Sequence, residues 1–152
     1  MALKLKEDFT SHLLEINLIN NQGLMRKMKI EQVKASFESE FSPVLEKFVV
    51  YDITLDQVKN FTADFIWRPG VYVFWNESEG VIKVGRHLTN SFKRALEHIR
   101  DNTGCMQELD GDPDTHLLLF NVKLEKDRYW VSALEIFFEL ELKPKISSGR
   151  LG

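Results

Sequence analysis

A hairpin followed directly by a helix, at residues 69–98, constrains the fold of this chain most strongly. The segment VYVFW at 71–75 is rich in β-branched and aromatic residues, which favours a strand. The polar stretch NESEG then predicts a hairpin turn, and VIKV at 81–84 predicts the second strand. After this strand the apolar spacing changes to three and four residues, which predicts a helix at 90–100.

Two further apolar segments complete the predicted core. LLLFNV at 117–122 is typical of a buried strand, and YWVSALEIFFELEL at the end of the chain is apolar nearly all round, as in a core helix. We therefore predict an α/β fold of the α+β kind, with a small three-stranded antiparallel sheet at 71–75, 81–84 and 117–122. Helices at 90–100 and 127–142 flank this sheet, and an N-terminal helical extension packs alongside it.

The first 66 residues have mainly helical patterns. Apolar residues at helical spacing predict an amphipathic helix that ends near Gly23; they are Leu3, Leu5, Phe9, Leu13 and Ile16. A second stripe follows, and Pro43 is expected to end or kink its helix; the stripe is Ile30, Val33, Phe37 and Phe41. The apolar residues at 44–50 fit either a short helix or the edge of a strand. Thr54 and Gln57 form a capping-box pattern, which predicts one more short helix.

We divide the chain into an extension, 1–66, and a core domain, 67–152. The extension has no catalytic motif. It could serve substrate recognition or form a homodimer through its helices, but the simplest role is to cover one face of the small sheet, since such a sheet needs cover to be stable.

Composition excludes some protein classes. No run of 18 apolar residues occurs, so no membrane-spanning helix is expected. Charged residues interrupt the region where a secretory signal needs its apolar core, and Cys105 is the only cysteine, so no internal disulfide can form. A cytoplasmic protein is expected.

The order of motifs resembles the GIY-YIG endonuclease superfamily over about the last 80 residues. Gly70-Val71-Tyr72 stands on the first predicted strand and Lys83-Val84-Gly85 on the second. Arg94 and His98 lie one turn apart on the next helix, and Glu135 lies on the last helix, ahead of Lys143-Pro144-Lys145-Ile146-Ser147. This is similar to the family's two tripeptides, essential arginine, later glutamate and final proline segment.

The resemblance implies a divalent-metal-dependent DNA endonuclease that hydrolyses phosphodiester bonds. Glu135 would bind Mg²⁺ (or Mn²⁺), which suits a site with one carboxylate because it keeps several waters. Arg94 would clamp the phosphate in the transition state. Tyr72 or Lys83 would orient or deprotonate the attacking water, and the sequence leaves open which of the two is the base.

DNA is the expected partner, although the net charge is −3. Between residues 83 and 100 five cations stand against one acid, Glu97, which makes a small basic patch. The expected substrate contacts are Arg86, His87, Lys93 and His98.

The sequence departs from the family pattern at three places. Lys83 replaces the usual tyrosine of the second tripeptide, the loop before Arg94 is one residue longer than in most members, and Ser147 stands where asparagine is frequent. The alternative is a catalytically silent module of the same fold that binds nucleic acid or a protein partner, and the modest net charge and Ser147 favour it. If the protein is a nuclease, we expect five residues to lie on one side of the sheet, namely Tyr72, Lys83, Arg94, His98 and Glu135.

Overall fold

The computed structural model describes residues 27–100 and 105–148. In these residues the α-helices and strands follow in the order α1 (Ile30–Glu40), β1 (Phe48–Thr54), β2 (Gly70–Asn76), β3 (Gly80–His87), α2 (Ser91–Arg100), β4 (Thr115–Val122) and α3 (Tyr129–Leu142). Short 3-10 helices lie at Ser42–Lys47, Cys105–Leu109 and Glu125–Asp127.

The four strands form one antiparallel sheet in the order β1-β4-β2-β3. Strand β2 is central and buried along its whole length, as its apolar sequence predicts. The hairpin between β2 and β3 turns at Asn76, whose Oδ1 accepts the backbone N–H of Glu79 at 2.8 Å. Gly80 follows with φ +74°, a conformation that costs glycine little. The α+β class and the three predicted strands are thus confirmed.

The number of strands is corrected from three to four. Strand β1 comes from the predicted N-terminal extension and pairs with β4 from Phe48 opposite Val122 to Thr54 opposite His116. Its sequence, FVVYDIT, has the β-branched and aromatic residues of a strand, but it lies at the sheet edge and is only partly buried. The sequence of residues 44–50 allows either a short helix or the edge of a strand, and pairing with β4 makes residues 48–50 part of a strand.

The rest of the extension agrees in part with its predicted helices. Helix α1 buries Ile30, Val33 and Phe37 as expected and ends before Pro43, which lies in the first turn of the 3-10 helix at Ser42–Lys47. The prediction of a short helix after Thr54 is wrong, because residues 55–60 form turns. The Thr54 hydroxyl donates to Asp56 Oδ1 at 2.6 Å instead of capping a helix. The first predicted helix lies outside the described residues, and the division at residue 66 stays a prediction.

The sheet separates two hydrophobic cores. Because side chains alternate along β2, Val71 and Val73 face helices α1 and α3, whereas Tyr72 and Phe74 face α2. Helix α3 packs mainly on β3, and α2 packs on β2 and β3. The two helices that carry the predicted site residues therefore lie on opposite faces of the sheet, next to the same edge strand.

None of the helices in the described part of the chain is both long enough and apolar enough to span a membrane.

Candidate functional site

The tyrosine of the first tripeptide contacts the histidine of helix α2. Tyr72 is 1% exposed, and its hydroxyl oxygen lies 2.7 Å from Nε2 of the half-buried His98. The two ring centroids are 5.5 Å apart. Either group can donate in this hydrogen bond, according to the tautomer of the imidazole. The contact joins β2 to α2 and holds two polar groups next to each other in a largely apolar core.

The glycines of both tripeptides are required by close approach. A Cβ on Gly85 would lie 2.3 Å from the Tyr72 hydroxyl oxygen, so the tyrosine ring rests directly on the backbone of β3. A Cβ on Gly70 would lie 2.0 Å from Asn121 Oδ1 and 2.7 Å from the carbonyl oxygen of Phe120. Side chains at these positions would push β3 away from the ring and β4 away from β2.

Lys83 lies on the Tyr72 side of β3. It is half-buried and stands opposite Phe74, which faces α2. Beside it the chain segment after α3 forms a parallel bridge, in which Ile146 N–H donates to the Ile82 carbonyl at 2.8 Å. The tail that contains Ser147 therefore runs along the edge of β3, close to the candidate base.

Glu135 lies on the other face of the sheet and is paired with Arg86. Its side chain is 5% exposed, and Arg86 Nε contacts its carboxylate oxygen Oε2. Arg86 Nη1 also donates to the Ser132 hydroxyl at 2.6 Å. A carboxylate in an apolar helix needs such a partner, because an unpaired buried charge is costly. Arg86, expected to contact substrate, therefore has a second role as the ion-pair partner of Glu135 within the core.

Arg94 is at the surface of α2 and pairs with Glu97 at 3.0 Å. The hydrogen bond from Arg94 lowers the pKa of Glu97. Because the arginine side chain is 41% exposed, the pair is weak and a phosphate could replace the carboxylate. Lys93, the neighbouring residue expected to contact substrate, is exposed.

His87 organises the loop before α2. Its Nδ1 accepts the backbone N–H groups of Asn90 at 3.0 Å and Thr89 at 3.3 Å. In the neutral ring, Nε2 therefore carries the hydrogen and can donate to a ligand. Asn90 in turn accepts the Lys93 N–H at 2.9 Å, as an N-cap residue does, so the loop sets the start of the helix.

The expectation that five site residues share one side of the sheet is wrong, and the position of Glu135 counts against the nuclease interpretation, which required this residue on the same side as Arg94. Tyr72, Lys83 and helix α2 belong to one face, whereas Glu135 belongs to the other. The order of strands and helices along the chain does not specify which face of the sheet a helix covers. The connection before each helix decides that, and it places α2 on one face and α3 on the other. What the residues share is strand β3, which both helices contact.

Asn121 is a structural residue near the site that the sequence prediction missed. Its buried side chain donates to the carbonyl oxygens of Phe65 at 3.0 Å and Ile66 at 3.2 Å, and it accepts from Ser91 Oγ at 2.6 Å. It thereby ties β4 to the loop before β2 and to the first turn of α2. An amide within the apolar run LLLFNV was the available signal, since a buried polar group must find partners.

The residues present suit at most a metal site with few protein ligands. Among the described residues, no three His, Cys, Asp or Glu side chains are grouped so that they could hold an ion. Glu135 offers hard carboxylate oxygens, which fits Mg²⁺ bound through one carboxylate, waters and a substrate phosphate. The contact with Arg86 means that a cation would have to share or take over this carboxylate.

Comparison with known proteins adds no relative. A scan against protein-family models gave no match. Searches among curated proteins and among solved structures gave none either. The resemblance to the GIY-YIG superfamily therefore rests on the motif residues of the sequence alone.

Proposed function

We propose that this protein is a divalent-metal-dependent DNA endonuclease of the GIY-YIG type, with an active site that straddles the edge strand β3. The observation that carries the proposal is the 2.7 Å contact between Tyr72 and His98 over Gly85. It brings together the tyrosine of the first tripeptide, the glycine of the second and the histidine of the following helix. These are positions that the resemblance singles out, and chain order alone does not require them to meet.

The Tyr72–His98 pair supplies a route for the proton of the attacking water. With Nε2 unprotonated, His98 accepts the phenolic hydrogen, and the phenol oxygen can then take a proton from water. Lys83 on the same side of β3 is the alternative base. Both candidates lie beside α2, so the water is expected on that face of the sheet.

Cations around this water stabilise the negative charge that develops on the phosphate. Arg94 exchanges its surface partner Glu97 for phosphate oxygens, to which its planar fork is matched. Lys93 and His87 Nε2 hold neighbouring phosphates. Glu135 and Arg86 lie on the opposite face of the sheet, and Glu135 is the residue that would hold Mg²⁺. A bound ion would supply Lewis-acid stabilisation of a phosphoryl oxygen and of the leaving group.

A plasmid assay tests the proposal. Wild-type protein incubated with supercoiled plasmid and Mg²⁺ is expected to nick or linearise it. Arg94→Ala and Glu135→Gln are each expected to lower the rate about 10²-fold or more, because each loses a group that stabilises the transition state. Tyr72→Phe keeps the buried ring and tests the hydroxyl alone.

Circular dichroism and thermal unfolding of each variant serve as controls, since Glu135→Gln also disturbs an ion pair in the core. Several unrelated plasmids, with Mn²⁺ in parallel, guard against a narrow sequence preference. Cleavage by folded Glu135→Gln at the wild-type rate would contradict the assignment of this residue.

A silent binding module is the second candidate, and two observations favour it: Glu135 pairs with Arg86, and it lies on the face of the sheet opposite Tyr72 and Lys83, whereas a nuclease was expected to have all five residues on one side. The carboxylate expected to hold the metal already has an internal cation. Salt-dependent DNA binding by a wild-type protein that never cuts would support this function. Titration with Mn²⁺ in the presence of a nucleotide phosphate separates the two candidates, because a silent module shows no difference between wild type and Glu135→Gln.

A further inference from the structure

A loop with two exposed aromatic side chains, residues 65–68, lies beside the start of helix α2. Trp67 is 57% exposed and Phe65 38%, although most of the large apolar side chains in the described part of the chain are buried. The Trp67 ring contacts the buried ring of Phe92 on the first turn of α2, and the two ring centroids are 5.3 Å apart. The core therefore supports one side of the indole, and more than half of the residue faces water.

The fold holds this aromatic loop in one conformation. Phe65 has φ +62°, which is costly for a residue with a side chain. The buried Asn121 amide supports it by donating to the carbonyl oxygens of Phe65 at 3.0 Å and Ile66 at 3.2 Å. The backbone N–H of Ser91 donates to the Arg68 carbonyl at 3.2 Å. Because the backbone is already fixed at both ends, a ligand would not have to order the loop when it binds.

Two cations lie next to these rings along the chain. Arg68 pairs with Glu125 at 3.5 Å, and because the two side chains are 40% and 68% exposed, this pair is weak and an anion can replace the carboxylate. Lys93, on the first turn of α2, is exposed. The neighbouring acid, Asp64, lies close to Tyr51 of β1, whose pKa is raised by burial and by the charge of this carboxylate. The surface beside α2 therefore combines aromatic rings with cations that an anionic ligand can use.

The size of the apolar surface favours a small, flat ligand. Leu88 adds to it, since it follows β3, which ends opposite the start of β2. At their exposures, Phe65, Trp67 and Leu88 together leave about 300 Å² of surface in water. A stable protein interface takes about 800 Å² from each partner. A nucleic-acid base needs much less, because a single aromatic ring is enough to stack it.

We propose that the aromatic loop is a stacking site for an unpaired nucleotide of single-stranded DNA. The base stacks on Trp67 beside Phe65, and Arg68 and Lys93 contact the flanking phosphates. One strand can reach from Trp67 to His98, since the residue of α2 that Trp67 contacts precedes His98 by six positions, about 9 Å along the helix axis. The proposal rests on the proposed function in taking DNA as the partner, and it names the substrate class as DNA with an unpaired nucleotide. It does not require cleavage.

Fluorescence anisotropy with a fluorescein-labelled DNA single strand, and with the duplex of the same sequence, tests the site in the full chain. Trp67→Ala is expected to weaken single-strand binding about tenfold and duplex binding less than about twofold, because paired bases already stack on their neighbours. Trp67→Phe keeps a ring and should retain most of the affinity. The control, Tyr129→Ala, removes an exposed ring of α3 and should change neither affinity.

Tryptophan emission gives a second measurement, which uses the wild-type protein. A base stacked on Trp67 quenches its fluorescence, so saturating single strand should lower the wild-type emission more than duplex does. Trp67→Phe should lose this extra quenching. Thermal unfolding of each variant checks that it is folded, since Trp67 also packs on Phe92.

The outcomes separate this proposal from the proposed nuclease. Equal effects of Trp67→Ala and Tyr129→Ala, or equal quenching by single strand and duplex, would overturn the stacking site and leave the nuclease standing. A folded wild-type protein that binds neither form of DNA would overturn both. Self-association of the wild type that Trp67→Ala abolishes, without an effect on DNA, would make the loop a contact between protein copies. Single-strand binding that depends on Trp67, in a protein that never cuts, would support the stacking site and contradict only the nuclease.

Discussion

Gly85 shows how a single missing side chain shapes the candidate site. The Tyr72 ring occupies the space where a Cβ would stand, and its hydroxyl reaches His98 from that position. Replacing the glycine forces the ring or β3 to move, because packed cores have little free volume. A residue without a side chain thus positions the hydroxyl group that we propose to take part in catalysis.

Gly85→Ala is expected to destabilise the protein by about 1–3 kcal/mol through overpacking, and to disturb the Tyr72–His98 contact. Urea unfolding of a double-mutant cycle with Tyr72→Ala measures this. Since removal of the ring empties the space, Gly85→Ala should cost much less in the Tyr72→Ala background. Equal costs in both backgrounds would show that the ring is not the obstacle.

The two residues of the Arg86–Glu135 pair are buried to different extents, since the Glu135 side chain is 5% exposed and the Arg86 side chain is 27% exposed. Arg86→Met leaves an unpaired charge in the core and is expected to cost about 3 kcal/mol or more in the free energy of unfolding. Glu135→Gln leaves Arg86 access to water and should cost clearly less. Chemical denaturation of both single variants and of the double variant checks this order. We expect the double variant to be more stable than Arg86→Met alone. A larger loss of stability from Glu135→Gln than from Arg86→Met would contradict the expected order.

At the scale of elements, Asp52 of β1 joins three parts of the fold. Its Oδ2 accepts from Lys34 of α1 at 2.6 Å, and its Oδ1 lies 2.6 Å from His116 Nδ1 of β4. Partial burial raises the pKa of Asp52, but the hydrogen bonds with Lys34 and His116 outweigh it and hold the pKa below its ordinary value of 3.8. This edge strand is therefore tied to its neighbours by charge as well as by its ladder.

The sign of the pH dependence follows from that shift. A carboxyl whose folded pKa is below its unfolded pKa binds fewer protons in the folded state, so its stabilisation is complete above the unfolded value. It is lost as the pH falls through the folded value. Asp52→Asn should thus be less stable than wild type at pH 7 by about 1 kcal/mol, with the difference shrinking below pH 3.8. Urea unfolding across this range measures it, and a constant difference would contradict the assignment.

At the scale of the whole molecule, the distribution of charge bears on DNA binding more than the net charge of −3 does. Of the five cations between residues 83 and 100, Arg86 pairs with Glu135 and Arg94 with Glu97. The basic surface is consequently smaller than the sequence suggests. A modest number of phosphate contacts, and hence a shallow dependence of affinity on salt, is expected.

Arg94→Ala is expected to weaken DNA binding and to lower the slope of log affinity against log salt by about one. Lys126→Ala removes the same charge from an exposed position before α3 and serves as the matched control. Fluorescence anisotropy at several salt concentrations gives both slopes. An equal effect of the two substitutions would show that binding follows overall charge and that Arg94 makes no particular phosphate contact.

The sequence by itself determined the elements that have strong local patterns. The continuous apolar run of β2, the short apolar run of β3, the change of period at α2 and the all-round apolar character of α3 are each patterns of a single segment. The contact of Tyr72 with His98 is consistent with the motif order. Pro43 and the stripe of α1 likewise carried enough local information to place that helix.

Only the tertiary structure decided the rest, because the deciding contacts join distant residues. Pairing with β4 made β1 a strand where the local pattern allowed a helix, and turns replaced the helix expected after Thr54. Helices α2 and α3 pack on opposite faces of the sheet, which places Arg94 and Glu135 on opposite sides. Arg86 became the partner of Glu135 across 49 positions of the chain. No local period encodes these choices, since each depends on which surfaces become buried together.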